Sequence, residues 1–314
     1  MRLTAVVLSL LLAANAHAAF PEKAIKVIVP NGAGGSTDLT TRLVSTPLSE
    51  ALGQGIAIVN IPGAGTSIGA QKAARSRADG YTLLSTHEAF LTSSSLNLNR
   101  MGPASVRPIA QVAREAVVIA VHPESALNDL DDYFAAVSKG HANASLKLGV
   151  NPGAVSHFTL ARTLMAVDAD VIFVPTGGGA KSLKSLMGGH IDIASFTVSE
   201  FHQVASAGRL RALAVLDGER HPNLPDTPTA VEQGHDIRFS VHYVWYAPAA
   251  TPDATVTVLA DAMRGIMAKP EFITQLEQRS LTPDFLSGQA LEQTLDTRYE
   301  EIRAIATEVK NAGR

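Results

Sequence analysis

The residues with chemical potential sit in four glycine-rich or polar turns. The first is residues 30–38 (PNGAGGSTD). Glycine lets a backbone approach a ligand closely. A helix that opens just after such a turn presents unpaired N–H groups and the positive end of its dipole, which together favour an anion. Ser36, Thr37 or Asp38 is equally suited to cap that helix, and capping and anion binding are compatible. The second turn, residues 62–69 (PGAGTSIG), contains Gly65-x-Ser67-x-Gly69, the nucleophile-elbow pattern of α/β-hydrolases. That elbow is a tight strand-to-helix turn, whereas Pro62 and Gly63 lengthen this one. The ten histidines supply partners too freely to discriminate, so an exported hydrolase using Ser67 stands only as a rival. Gly63-x-Gly65-x-x-x-Gly69 is also a loosened dinucleotide fingerprint, but Leu84 and Ser85 stand where a ribose-binding acid is needed.

The third turn is residues 151–157 (NPGAVSH) and the fourth residues 176–181 (TGGGAK). Three glycines and Lys181 invite a phosphate-loop reading, yet the Walker spacing and its Lys-Ser/Thr ending are absent. Lys181 reads as a solvated cation at a helix start or as a pocket charge. His157 reads as a cap or buried hydrogen-bond partner, or as a ligand contact. No histidine or acid pair has the helical spacing of a zinc site.

The elements that must position these turns alternate along the chain. Residues 25–29, 56–59, 81–84, 117–121, 146–150, 171–174, 191–194 and 210–215 read as strands. Residues 38–52 read as a helix with Leu39, Leu43, Leu48 and Leu52 on one face and a kink at Pro47. From residue 255 the tail reads as largely helical, with Leu291, Leu295, Ile302 and Val309 on a buried stripe. Strands alternating with helices indicate an α/β fold with parallel sheets. Residues 117–121 and 241–248 (VHYVWYAP) are the places where the chain is expected to pass between lobes. The expected lobes are residues 19–121 with 244–314, and residues 122–243, with a ligand cleft between them.

The chain opens with Met1-Arg2, an apolar run at residues 5–14 (AVVLSLLLAA) and Ala16-x-Ala18, the order of a secretory signal peptide. The run falls short of the about 20 apolar residues of a membrane span. Cleavage near Ala18 and a periplasmic location follow as expectations. The net charge of −3 and the lack of a basic cluster argue against nucleic acid as a partner. There is no cysteine, which removes disulfides, thiolate metal sites and cysteine nucleophiles together.

Residues 20–38 (FPEKAIKVIVPNGAGGSTD), 62–69, 78–84 (ADGYTLL), 186–192 (LMGGHID), 208–214 (GRLRALA), 224–229 (LPDTPT) and 247–252 (APAATP) occur in an order and spacing that is specific as a set. With them the chain resembles the Bug-type solute receptors of tripartite tricarboxylate transport systems over essentially its whole length after the signal. The resemblance implies a two-lobed, type II-like periplasmic binding protein that closes on a small carboxylate, whether di- or tricarboxylate, aromatic acid or amino acid. It implies first-lobe contacts from Asn31, Gly34, Gly35, Ser36 and Thr37, with Thr86 and His87 on the same wall. Second-lobe contacts would come from Gly153, Val155, Ser156 and His157, and from Thr176, Gly177, Gly178 and Ala180. Asp192 and Thr197 would reach a distal ligand group. It implies no catalysis, cofactor or metal, a monomer, and as partner either the transporter's membrane permease components or a sensor kinase. Thr176 and Gly177 stand where the family usually has tyrosine and a polar residue, and Asn31 where it has an aromatic. Both changes enlarge or reshape the pocket.

Overall fold

The computed structural model describes residues 20–98, 102–138, 145–165, 167–205 and 208–312. The expected signal segment and its cleavage position lie outside them. Among the described residues no helix is long and apolar enough to cross a membrane.

The apolar run IKVIV forms β1 (Ile25–Val29), which pairs in parallel with β2 (Ile56–Asn60) on one side and β3 (Thr82–Thr86) on the other. The helices α1 (Ser36–Leu52) and α2 (Ser67–Ala74) follow β1 and β2 in the chain, and α3 (Ala89–Ser95) follows β3. Helix α1 runs through Pro47 and ends at Gly53, whose left-handed backbone (φ 63°) caps the last turn.

The central element is β4 (Val106–Val121), sixteen residues long. Up to Ala116 it pairs antiparallel with β9 (Ser240–Pro248), and it also carries β10 (Thr282–Ser287). From Val117 it pairs antiparallel with β7 (Ile193–Thr197) and β8 (Arg211–Val215). One strand therefore belongs to two sheets. The first is ordered β2-β1-β3-β9-β4 with β10 on the far edge. The second holds β8, β4, β7, β5 (Leu146–Val150) and β6 (Val171–Pro175). Helices α4 (Leu130–Val137), α5 (Val155–Leu164), α6 (Gly179–Met187) and α7 (Val198–Ala205) belong to the second part. The tail forms α8 (Asp253–Met267), α9 (Pro270–Glu277) and α10 (Gly288–Ala312) around the first.

The expectation of parallel sheets holds only at the outer strands. Around β4 and β9 the pairing is antiparallel, because β4 runs towards the second sheet and β9 runs back from it. Only the last five residues of β4 were legible as a strand. They are at most 1% exposed and read as one apolar run. Upstream, Arg107, Pro108, Gln111, Arg114 and Glu115 break the pattern. Pro108 sits at a register shift between it and Ala110, the kind of irregularity at which a strand tolerates proline. Strand β10 is a further departure from a largely helical tail. The buried stripe expected for that tail is present: Leu291, Leu295, Ile302 and Val309 are all buried.

Candidate functional site

A cavity of about 1080 Å³ opens between the start of α1 and the starts of α6 and α7, with α9 and the following turn on a third side. Gly34, Gly35 and Ser36 line it from the first sheet, and Gly179, Ala180 and Glu200 from the second.

The first turn is held from behind by Asp38, which is 1% exposed. Its Oδ2 accepts from the Gly34 N–H at 2.8 Å and from Arg42 Nε at 3.0 Å, and its Oδ1 accepts from Asn60 Nδ2 at 3.0 Å. Burial pushes this carboxyl up, but the bonds from Arg42, Gly34 and Asn60 outweigh it and hold the group below the ordinary carboxylate range. Gly35 is the residue before α1, and no side chain caps that helix. The capping reading of Ser36, Thr37 and Asp38 is thereby set aside, and the helix end faces the cavity through Gly35 and Ser36. Thr37 is 1% exposed and lies behind them.

Helix α6 starts in the same way. Gly178 has φ 121° and ψ 166°, a conformation reserved for glycine, and no side chain caps the helix. Thr176 is turned inward: its Oγ1 donates to the Val150 carbonyl at 3.1 Å and lies 2.5 Å from Ser182 Oγ. It ties the end of β6 to β5 and α6 and does not line the cavity. Gly177, at φ 82°, continues the turn.

Other expected contacts are placed elsewhere. In the third turn, Ser156 Oγ accepts from the Asn151 N–H at 3.0 Å, and His157 Nδ1 accepts from the Gly153 N–H at 3.3 Å. His157 stacks edge-on against Phe173 at 4.8 Å, and burial lowers its pKa. A Cβ on Gly153 would come within 3.1 Å of Leu96 and 3.3 Å of Leu98. This turn therefore packs against the chain after α3 and is not a wall of the cavity, and Val155 is half-buried on the core. Thr86 is fully buried in β3, and His87 accepts from the Ala89 N–H with its ring edge-on to Tyr243 at 6.2 Å. Neither lines the cavity. Asn31 lies beneath the first turn, where its carbonyl accepts from Asn60. Asp192 precedes β7 at the end opposite Thr197, and its carboxylate accepts from the Lys147 N–H at 2.7 Å. Ser67 is 2% exposed and donates to the Ala64 carbonyl at 2.7 Å, and among the described residues no histidine is bonded to it. Gly69 of the elbow pattern has a packing cause: a Cβ there would lie 2.6 Å from the Ile61 carbonyl.

Two acids of the cavity were missed. Glu115, fully buried near the end of the first-sheet part of β4, accepts from the Ser199 N–H at 3.0 Å and from the Tyr243 hydroxyl at 2.6 Å. Glu200 accepts from the Thr197 N–H at 3.2 Å, while Thr197 Oγ1 accepts from the Glu200 N–H at 3.4 Å. That is a reciprocal capping box on α7, and the sequence TVSE announces it. Burial pushes both carboxyls above their ordinary range, against the hydrogen bonds they accept; the Glu115 charge adds to the rise at Glu200.

Two α/β sheets joined by a shared strand, with a cavity between helix starts from either side, define a two-lobed solute-binding protein. The chain belongs to the tripartite tricarboxylate transporter receptor family (TctC), whose model matches residues 40–310. A UPF0065 protein of Bordetella pertussis (strain Tohama I) is 29% identical over 314 residues, covering 98% of this chain and 97% of the relative. Protein BugT of the same organism is 26% identical, over 94% of this chain and 90% of its own. The solved periplasmic binding protein BugD aligns with a TM-score of 0.78 at 27% identity, over 94% of this chain and 99% of that one. R. palustris Rpa4515, solved with adipate, aligns with a TM-score of 0.78 at 25% identity, over 94% and 98%.

Proposed function

We propose that this protein is an exported, periplasmic receptor that captures a small carboxylate in the cavity between its lobes and delivers it to the membrane components of a tripartite tricarboxylate-type transporter. The observation that carries the reading is the pair of uncapped helix starts, α1 at Gly35 and α6 at Gly178, opening on one cavity from opposite sheets. The N–H groups of the first turns of α1 and α6 that lack partners within the helix, and the positive ends of the two dipoles, hold an anion without a formal cation. Gly34, Gly35, Ser36, Gly178, Gly179 and Ala180 are its contacts in this reading. The R. palustris neighbour was solved with adipate, a small dicarboxylate, which agrees with this class of ligand. The crossings of β4 and β9 are where a hinge would act, so that ligand binding shifts the molecule towards its closed form.

A thermal-shift screen of the protein from Ala19 against carboxylates tests this. A ligand at about a hundredfold over its dissociation constant stabilises the fold by about 2.7 kcal/mol, a clear upward shift. Absence of any shift from protein shown by denaturing mass spectrometry to be ligand-free would contradict the reading.

A further inference from the structure

A carboxylate is buried where the two sheets meet. Glu115 pairs with Val241 of β9 and Ala116 with Ser240, whereas Val117 already pairs with Thr197 of β7, so Glu115 stands two residues before β4 changes sheets. It is fully buried, and both of its carboxylate oxygens are used. One accepts from the Ser199 N–H in the first turn of α7 at 3.0 Å, and the other from the Tyr243 hydroxyl of β9 at 2.6 Å. The side chain therefore joins a second-sheet helix to a first-sheet strand across the strand that both sheets share. Arg114, one residue earlier, also reaches across, to Asp217. It points to the other face of β4, into a separate cavity away from the starts of α1 and α6.

Each end of the Glu115 tie leads to one of those two helix starts. On the first-sheet side, Ser36 in the first turn of α1 is adjacent to the Tyr243 hydroxyl. On the second-sheet side, Ser199 is followed by Glu200, whose Oε1 lies 2.8 Å from where a Cβ of Gly179 would sit, so α7 and α6 meet at their starts. The line from Ser36 through Tyr243, Glu115 and Ser199 to Gly179 thus crosses from one wall of the cavity to the other, and all of it but Tyr243 lines the cavity. Buried hydrogen bonds are directional, and leaving one partner unpaired is costly. Because the tie lies at the crossing, the lobes can still open and close about it, but twisting and sliding are opposed. We propose that Glu115 is a positioning residue for the ligand cavity, holding the starts of α1 and α6 in register through Tyr243 and Ser199. A site held in register loses less freedom when the ligand arrives and binds it more tightly. This rests on the receptor reading above and adds the group that sets its geometry.

Two readouts test it, both on the protein from Ala19. The chain has no cysteine, so Lys72→Cys on α2 and Lys184→Cys on α6, both exposed, place one spin label on each lobe. Pulsed dipolar spectroscopy then gives the distribution of distances between them without any ligand. The second readout is calorimetric titration with the best ligand of the carboxylate screen, beside melting curves that show each variant folded. Glu115→Leu keeps the bulk and removes both bonds. It should broaden the distance distribution and weaken binding about tenfold or more. Glu115→Gln should restore the wild-type width and come within about threefold of wild-type affinity, because its amide oxygen accepts from Ser199 and its N–H donates to the Tyr243 oxygen. Tyr243→Phe removes one bond at little loss of bulk, and should broaden the distribution and weaken binding about threefold or more. It carries the test if the leucine variant does not fold. Wild-type width or wild-type affinity in a folded Glu115→Leu, or in Tyr243→Phe, overturns the inference and leaves the receptor reading standing. A glutamine variant as impaired as the leucine one also overturns it, since the bonds would then not be what matters. No binding of any carboxylate by the wild type removes the receptor reading, and with it the site that Glu115 would position.

Discussion

Asp38, behind the α1 side of the cavity, and Glu200, on the opposite wall, are moved in opposite directions, which gives opposite pH signatures. Asp38 is held below its ordinary value by donors that outweigh burial. Its contribution is present above the unfolded carboxylate value and is lost as pH falls through the depressed folded one. Asp38→Asn should cost about 1–3 kcal/mol at pH 7, the scale for leaving buried partners unsatisfied. Denaturant melts should show that cost shrinking at acid pH. Glu200 is raised, so the stability it contributes is present below the unfolded value and lost as pH rises through the folded one. Glu200→Gln should gain on the wild type as pH climbs above about 4.5, and a flat difference between pH 4 and pH 8 would contradict that. The glycine turns at Gly34–Gly35 and Gly178–Gly179 were legible because glycine spacing before a helix has few other causes. Glu115 was not, because its partners Tyr243 and Ser199 are far away in sequence. His157, Thr176 and Asp192 lie off the cavity: Thr176 and Asp192 bond neighbouring groups, while His157 Nδ1 accepts from the Gly153 N–H and its ring packs on Phe173, placements that residue type alone does not disclose.

Helix α1 shows how periodicity can be right about the element and wrong about its face. Of the four leucines expected on one face, Leu48 is fully buried, while Leu39 is 53% exposed and lines the cavity with Leu43. Polar side chains take much of the buried face: Thr41 Oγ1 donates to the Thr37 carbonyl and lies 2.8 Å from Ser85 Oγ, and Asp38 is bonded to Asn60. Those bonds make a polar stripe burial-compatible, and no hydrophobicity pattern reveals them. Leu48→Ala should therefore cost about 2–5 kcal/mol. Leu39→Asp should change stability by no more than about 0.5 kcal/mol yet weaken ligand binding, measured by calorimetry beside the melts. Strand β4 was half legible for a related reason. Its second-sheet part is buried among apolar neighbours and reads as such, whereas its first-sheet part carries the charged groups that serve the cavity and the β9 and β10 contacts.

At the scale of the molecule, the two sheets share β4, and β9 joins the first of them by antiparallel pairing with it. Alternation of strands and helices was enough to indicate α/β lobes, but strand direction follows from the chain's return path, which local pattern does not encode. Trp245, fully buried on β9 opposite Ala110 of β4 and Ser85 of β3, anchors that return. Trp245→Ala should cost about 3–5 kcal/mol, seen as a lowered denaturation midpoint. The central claim is that the helix starts at Gly35 and Gly178 grip one ligand carboxylate. It is tested most directly by calorimetric titration of the best ligand from the carboxylate screen into wild type and Gly178→Val. A side chain at φ 121° must displace the start of α6, at a strain of about 1–3 kcal/mol, while a Cβ there meets nothing within 4 Å and so leaves the packing intact. The account predicts a folded variant whose affinity falls a hundredfold or more. A folded Gly178→Val with wild-type affinity would contradict it.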